Sequence, residues 1–149
     1  MADILFGDSN PSGRLAITVP RHSGQLPVYY NYKPSKEYWI KGGWGKRYVD
    51  MSPLPLWEFG YGLSYTKFSY SDLMVPAQIV AAGQPVAADV TVTNTGKIAG
   101  DEVAQLYVHA VSPSVKRPSK ELRGFQRVSL KPGERRTVKQ FRIRITRAR

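Results

Sequence analysis

From Val86 to Val92 every second residue is apolar: Val86, Ala88, Val90 and Val92 alternate with Ala87, Asp89 and Thr91. A period of two suits an extended strand with one face buried and the other wet. The rest of the second half is cut into similar short runs, at residues 67–74, 102–110, 120–130 and 137–146, spaced at roughly ten residues. Asn94-Thr-Gly-Lys and Lys131-Pro-Gly-Glu turn the chain between them, and Pro113 and Pro118 fall where sheet edges tolerate a missing donor. Short strands joined by turns predict a mainly β chain, an antiparallel β-sandwich. In the last run Val138 and Phe141 are three apart, so alternation fails by one residue and a bulge or register change is expected.

A second constraint lies just upstream. Residues 53–65 read Pro-Leu-Pro-Leu-Trp-Glu-Phe-Gly-Tyr-Gly-Leu-Ser-Tyr. The prolines hold their part extended, and Gly60 and Gly62 permit a sharp turn among bulky neighbours. Trp57, Phe59, Tyr61 and Tyr65 need something to pack against. The stretch reads as a fixed elbow between a turn-rich, aromatic first half and the regular strands of the second. In the first half, residues 15–19 read as a brief strand after the Asn10-Pro-Ser-Gly turn. Residues 22–52 have little periodicity, which predicts an ordered but irregular connector.

Phe59-Gly-Tyr-Gly-Leu-Ser-Tyr-Thr-Lys-Phe resembles the segment leading into the fibronectin-III-like domain of family 3 glycoside hydrolases, the β-glucosidase and β-xylosidase family. The likeness extends upstream through Leu5-Phe-Gly-Asp-Ser-Asn-Pro-Ser-Gly-Arg-Leu and Gln25-Leu-Pro-Val-Tyr-Tyr-Asn-Tyr-Lys-Pro. Downstream it continues through Val92-Thr-Asn-Thr-Gly, Gly100-Asp-Glu-Val-Ala-Gln-Leu-Tyr-Val, Arg117-Pro-Ser-Lys-Glu-Leu-Arg-Gly-Phe and Leu130-Lys-Pro-Gly-Glu. The resemblance implies the C-terminal portion of such an enzyme. On that basis residues 1–25 are expected to be the remnant of an α/β-sandwich domain and residues 26–65 an aromatic-rich connector. Residues 66–149 are expected to form a fibronectin-III/immunoglobulin-like sandwich behind this irregular N-terminal arm. The family's sandwich goes on to a further hairpin strand, whereas this sequence stops at Arg149. The expectation is therefore a missing last strand and an unpaired sheet edge beside Phe141, Ile143 and Ile145, open to self-association by strand addition.

A chain of 149 residues, 42 % hydrophobic, is long enough for one ordinary core plus an appendage. It has no apolar run near the ~20 residues of a membrane span and no visible secretory signal, so the compartment is left unassigned. With no cysteine, disulfides and thiolate metal sites are excluded, and neither a metal nor a cofactor is expected. The net charge of +11 gathers partly in Arg135, Arg136, Lys139, Arg142, Arg144, Arg147 and Arg149. Arginine alternating along a strand reads as a solvated outer face rather than a nucleic-acid interface, since no nucleic-acid motif accompanies it.

Glycoside hydrolysis generally needs two carboxylates flanking the scissile bond. By the resemblance, the nucleophilic Asp and the acid Glu both lie upstream of this sequence, and no acid present matches their motifs. The leading reading is thus an accessory, stabilising domain of a β-glucosidase-like enzyme, inactive as a glycosidase by itself, with the remainder of a glycosidase as its partner. Two other classes stay open. Phe6-Gly-Asp-Ser-Asn resembles the nucleophile block of the GDS(L) esterases, which would make Ser9 a nucleophile with His22 or His109 as base. Neither histidine, however, has the Asp three residues earlier that those esterases use. Alternatively, Tyr29, Tyr30, Trp39, Trp44 and Trp57 could stack on sugar rings as a carbohydrate-binding module. The same aromatics would also leave an apolar patch from a lost domain interface.

Overall fold

The alternating stretch from Val86 to Val92 is not one strand: Asp89–Asn94 is the middle strand of a three-stranded antiparallel sheet, while Pro85–Val86 belongs to a separate two-stranded sheet. The structure, a computed structural model, describes residues 2–32, 52, 54–75, 81, 84–139 and 143–144. Its elements are a helix α1 (Ala2–Phe6), a 3₁₀ turn at Ser23–Gln25, and strands β1 (Phe68–Met74), β2 (Pro85–Val86), β3 (Asp89–Asn94), β4 (Gly100–Val108), β5 (Glu121–Leu130), β6 (Arg135–Val138) and β7 (Ile143–Arg144). The sheets are β1-β3-β6, β2-β7 and β4-β5. The chain divides into two compact units. One comprises Met1–Gly13, Gly62–Leu106 and Arg123–Arg149; the other comprises Arg14–Tyr61 and Tyr107–Leu122.

The first unit holds the sandwich core. Val92 from β3 and Val138 from β6 meet Ala104 from β4 and Val128 and Leu130 from β5, with Ala88 beside them. Phe68, Val90 and Leu106 pack against this cluster. Register explains the selection. Tyr70 lies opposite Val92 and Phe68 opposite Asn94, while Val90 faces Val138 and Val92 faces Arg136. These positions share the inner face, since alternate residues point the same way. The outer face carries Ser69 and Ser71 opposite Thr93 and Thr91, which lie opposite Arg135 and Thr137 in turn. Thr91 Oγ1 and Thr137 Oγ1 are 3.3 Å apart. The fold is therefore the mainly β antiparallel sandwich that the alternation predicted.

Asn94 closes the inner row and is fully buried. Its Oδ1 accepts from Thr66 Oγ1 at 2.7 Å and Gly96 N at 3.0 Å. Its Nδ2 donates to Ile98 O at 2.8 Å and Leu130 O at 3.1 Å. Its backbone N donates to Glu134 O, and its backbone O accepts from Gly133 N. The Lys131–Glu134 turn is thereby stitched to the end of β3. Gly133 sits at φ +73°, and Lys131 N donates to Glu134 Oε2 at 2.9 Å.

The apolar start of the chain is a helical turn whose residues are all exposed. The long run at 137–146 is not one strand: β6 ends at Val138 in one sheet, and Ile143–Arg144 pairs with Pro85–Val86 in another. The bulge expected between Val138 and Phe141, and the edge beside Phe141 and Ile145, lie outside the described residues. A bulge does appear in β1, where Ser71 pairs with Thr91 but Met74 with Asp89. Asp72 takes φ +53° there, a conformation Asp tolerates better than most residues.

In the second unit residues 15–19 do not form the expected strand. Leu15 N donates to Tyr61 O, Leu15 O accepts from Gly60 N, and Val19 N donates to Trp57 O. Only the isolated bridge between Val19 and Trp57 results. Pro20 and Pro55 lack donors, and Gly60 at φ +81° turns the chain where a ladder would continue. Gln25, buried, links the 3₁₀ turn to the segment opposite, accepting from Arg21 N at 2.8 Å and donating to Leu54 O at 3.0 Å.

Candidate functional site

Ser9 lies in the first unit on the rim of an open groove of about 890 Å³, together with Asp8, Asn10, Asp101, Glu134 and Arg136. Arg136 reaches it because it occupies the inner face of β6 beyond the last buried valine, so its side chain extends from the core out to water. It donates to Glu134 Oε1 at 3.1 Å. Asp101 accepts from Arg127 Nε at 2.8 Å. A hydrogen bond from Ser129 and the guanidinium of Arg127 hold its carboxyl below the usual carboxylate range. Glu134 is also held low, by the Lys131 amide and by Arg136. A general acid in glycoside hydrolysis needs the opposite, a carboxyl whose proton is held more tightly.

The esterase constellation has no histidine in this groove. His22 and His109 belong to the second unit. The His22 ring accepts through Nδ1 from Gly24 N at 3.1 Å, capping the 3₁₀ turn. His109 Nδ1 lies 2.6 Å from Ser119 O, and since a carbonyl only accepts, that nitrogen carries the proton. Each imidazole thus has a local structural partner. Among the described residues no cluster of His, Asp or Glu is arranged to hold a metal ion.

The aromatic candidates fare differently from one another. Tyr30 stacks on Phe59 with centroids 4.1 Å apart and meets Tyr107 edge-on at 6.3 Å. Lys120 Nζ lies over the Tyr107 ring at 5.6 Å and pairs with Glu58 at 3.3 Å. Burial, with Tyr30 and Glu58 nearby, raises the Tyr107 phenol above its usual range. One face of Tyr30 is therefore already covered within the second unit. Tyr29, 61 % exposed, and Trp57, 44 % exposed, keep accessible surface. Trp39 and Trp44 lie outside the described residues.

Reasoning from the sequence missed two residues that organise the first unit. Asn10, read as turn chemistry, accepts through Oδ1 from Tyr65 N at 2.8 Å and Ser64 Oγ at 3.1 Å. Arg127, an ordinary strand cation by its position, donates to Ser12 Oγ at 2.8 Å as well as to Asp101. Nothing local marks either role, because their partners lie 55 and 115 residues away.

Comparison with known proteins bears on all of this. Residues 1–65 match the glycosyl hydrolase family 3 C-terminal domain, and residues 102–148 match a fibronectin type III-like domain. The chain is 47 % identical over 145 residues to the periplasmic β-glucosidase of Salmonella typhimurium, covering 93 % of this chain and 18 % of that protein. It is 46 % identical over 142 residues to thermostable β-glucosidase B of Acetivibrio thermocellus, covering 93 % of this chain and 19 % of that one. A solved structure of the β-glucosidase from Listeria innocua in complex with glucose superposes with a TM-score of 0.82 at 38 % identity, covering 93 % of this chain and 20 % of that one. The chain thus spans about a fifth of the length of the relatives it matches.

Proposed function

The chain belongs to glycosyl hydrolase family 3, represented by that family's C-terminal and fibronectin type III-like domains, and from this we propose that it is an accessory, stabilising part of a β-glucosidase-like enzyme whose chemistry resides in the remainder of the glycosidase. The observation that carries the reading is the order of the two matched domains in a chain equivalent to 18 % of its Salmonella relative. The carboxylates agree with it. Asp101 and Glu134 are engaged by arginine and held ionised, and Glu58 is paired with Lys120.

The test has two arms. The purified chain is assayed against p-nitrophenyl β-glucoside and p-nitrophenyl acetate, and the Salmonella enzyme is assayed with its equivalent segment replaced by this chain. Activity is expected in the chimera and in neither assay of the chain alone. Glucoside turnover by the chain alone would overturn the reading. Acetate turnover that disappears in Ser9→Ala would replace it with the esterase.

Two finer readings rest on exposed side chains. Self-association of the isolated chain is favoured by the apolar surface of α1, where Leu5 is 74 % and Phe6 84 % exposed; edge-strand pairing is a further route. Sedimentation across a concentration series tests it, and a monomer throughout would refute it. Carbohydrate contact is favoured by the accessibility of Tyr29 and Trp57, and retention on insoluble β-glucan lost in Trp57→Ala would support it.

A further inference from the structure

Residues 2–13 fold with the sandwich although no residue of the helix they contain is buried. Helix α1 has five residues and none is buried, far short of the length at which a helix persists unaided. It is closed by Gly7 at φ +89°, with Gly7 N donating to Ile4 O and Ser9 N to Asp3 O. Polar links tie this segment to the rest of the unit. Tyr65 OH donates to Ile4 O at 2.6 Å. Asn10 accepts from Tyr65 N and Ser64 Oγ. Arg127 donates to Ser12. The two principal anchors are themselves positioned. Asn10 lies against Gly100, where an added Cβ would come within 2.5 Å of Nδ2, and Arg127 is oriented by its hydrogen bonds to Asp101.

A segment held by a few surface hydrogen bonds opens at far lower free energy than a core strand. We propose that residues 8–13 form a releasable polar latch, with Asn10 and Arg127 as its two bolts. Through Arg127 the latch fastens a stretch of the family 3 C-terminal domain onto the fibronectin type III-like strands, and through Asn10 onto the segment that leads into β1. The Arg127–Ser12 bond joins the segment matched as fibronectin type III-like to the segment matched as the C-terminal domain, whereas Asn10 ties residues 8–13 to Ser64 and Tyr65 at the end of that same C-terminal-domain match, just ahead of β1. This rests on the accessory reading for what is coupled, and it names how the sandwich stabilises the rest. While latched, the stretch moves with the sandwich; released, the sandwich keeps its core.

Amide hydrogen exchange of the full chain by NMR tests this directly, because the Tyr65 amide donates to Asn10. In Arg127→Gln, a change at a side chain 62 % exposed, the Tyr65 amide is expected to exchange at least tenfold faster. Amides of Val92 and Val138 should stay within twofold of the parent chain. Asn10→Ala is expected to give the same pattern; should it fail to fold, Arg127→Gln carries the test alone. An unchanged Tyr65 amide in Arg127→Gln would overturn the latch, because its bolts would then act independently. Equal acceleration of Tyr65 and Val92 would overturn it too, because the segment would then leave only on global unfolding. Glucoside turnover by the chimera tests the accessory reading separately, so either can fail without the other.

Discussion

Replacing Asn94 by alanine removes the polar centre of the sandwich. Asn94 uses both donors and both acceptor positions of its amide, on Ile98 O, Leu130 O, Thr66 Oγ1 and Gly96 N. Its bonds to Thr66 and Leu130 are fully buried. A buried group left without its partner costs about 1–3 kcal/mol, so these two set a loss of about 2–6 kcal/mol. The bonds to Ile98 and Gly96 are only partly buried, and water offsets part of their loss. We expect about 3–5 kcal/mol in all, measured as a lower urea midpoint at pH 7 with an unchanged slope. Asn94→Asp sharpens the reasoning. The acceptor side survives, but a carboxylate would face the carbonyls of Ile98 and Leu130, so the loss at pH 7 should equal or exceed that of alanine. Protonation gives the variant a donor again, so Asn94→Asp should regain stability relative to Asn94→Ala as the solution is acidified. A loss below ~1 kcal/mol in Asn94→Ala, or the same pH dependence in both variants, would refute the assignment.

Other expectations follow from single features. The Asp101 carboxyl is held low in the folded chain. Its contribution to stability is therefore present above the unfolded value near 3.8 and is lost as the pH falls from there through the depressed folded value; Asp101→Asn should flatten acid unfolding in that window, read from urea midpoints at stepped pH. Gly133→Ala forces a side chain into φ +73° and should cost about 1–2 kcal/mol, visible as a lower Tm. At Gly96 a Cβ would overlap Thr66 Oγ1 and lie 2.8 Å from Lys67 N; Gly96→Ala should destabilise by about 1–3 kcal/mol, measured in the same melts. Phe59→Leu removes the face on which Tyr30 stacks and should cost about 0.5–1.5 kcal/mol beyond the lost area, with a near-ultraviolet circular dichroism change from the tyrosines.

The sandwich was legible in the sequence wherever local chemistry and tertiary role coincide. Val90 and Val92 show their inner face by period alone, although the same alternation hides that Val86 pairs in another sheet, and Lys131-Pro-Gly-Glu carries the residues its turn requires. The misreadings share one cause: a decision taken by distant contacts. The run after Thr137 looks continuous, yet Val138 and Ile143 pair in different sheets, and nothing in the alternation marks where a strand changes sheets. Residues 15–19 have strand-forming side chains, but the segment opposite is broken by proline and a left-handed glycine. Asn94 sits in a turn motif and was read as turn chemistry, whereas its burial depends on Thr66 and Leu130 closing over it. The same limit applies to Asn10 and Arg127, whose importance depends on partners that no window of sequence includes.

The bond between Arg127 and Ser12 also bears on synthesis at the ribosome. Ser12 leaves the exit tunnel 115 residues ahead of its partner. At about 5–20 residues per second, that is a delay of roughly 6–23 s. Throughout it, the segment that carries Leu5 and Phe6 lacks the strand residue that holds it. Codon usage over the intervening stretch should therefore influence the yield of folded chain more than substitutions on the outer threonine face.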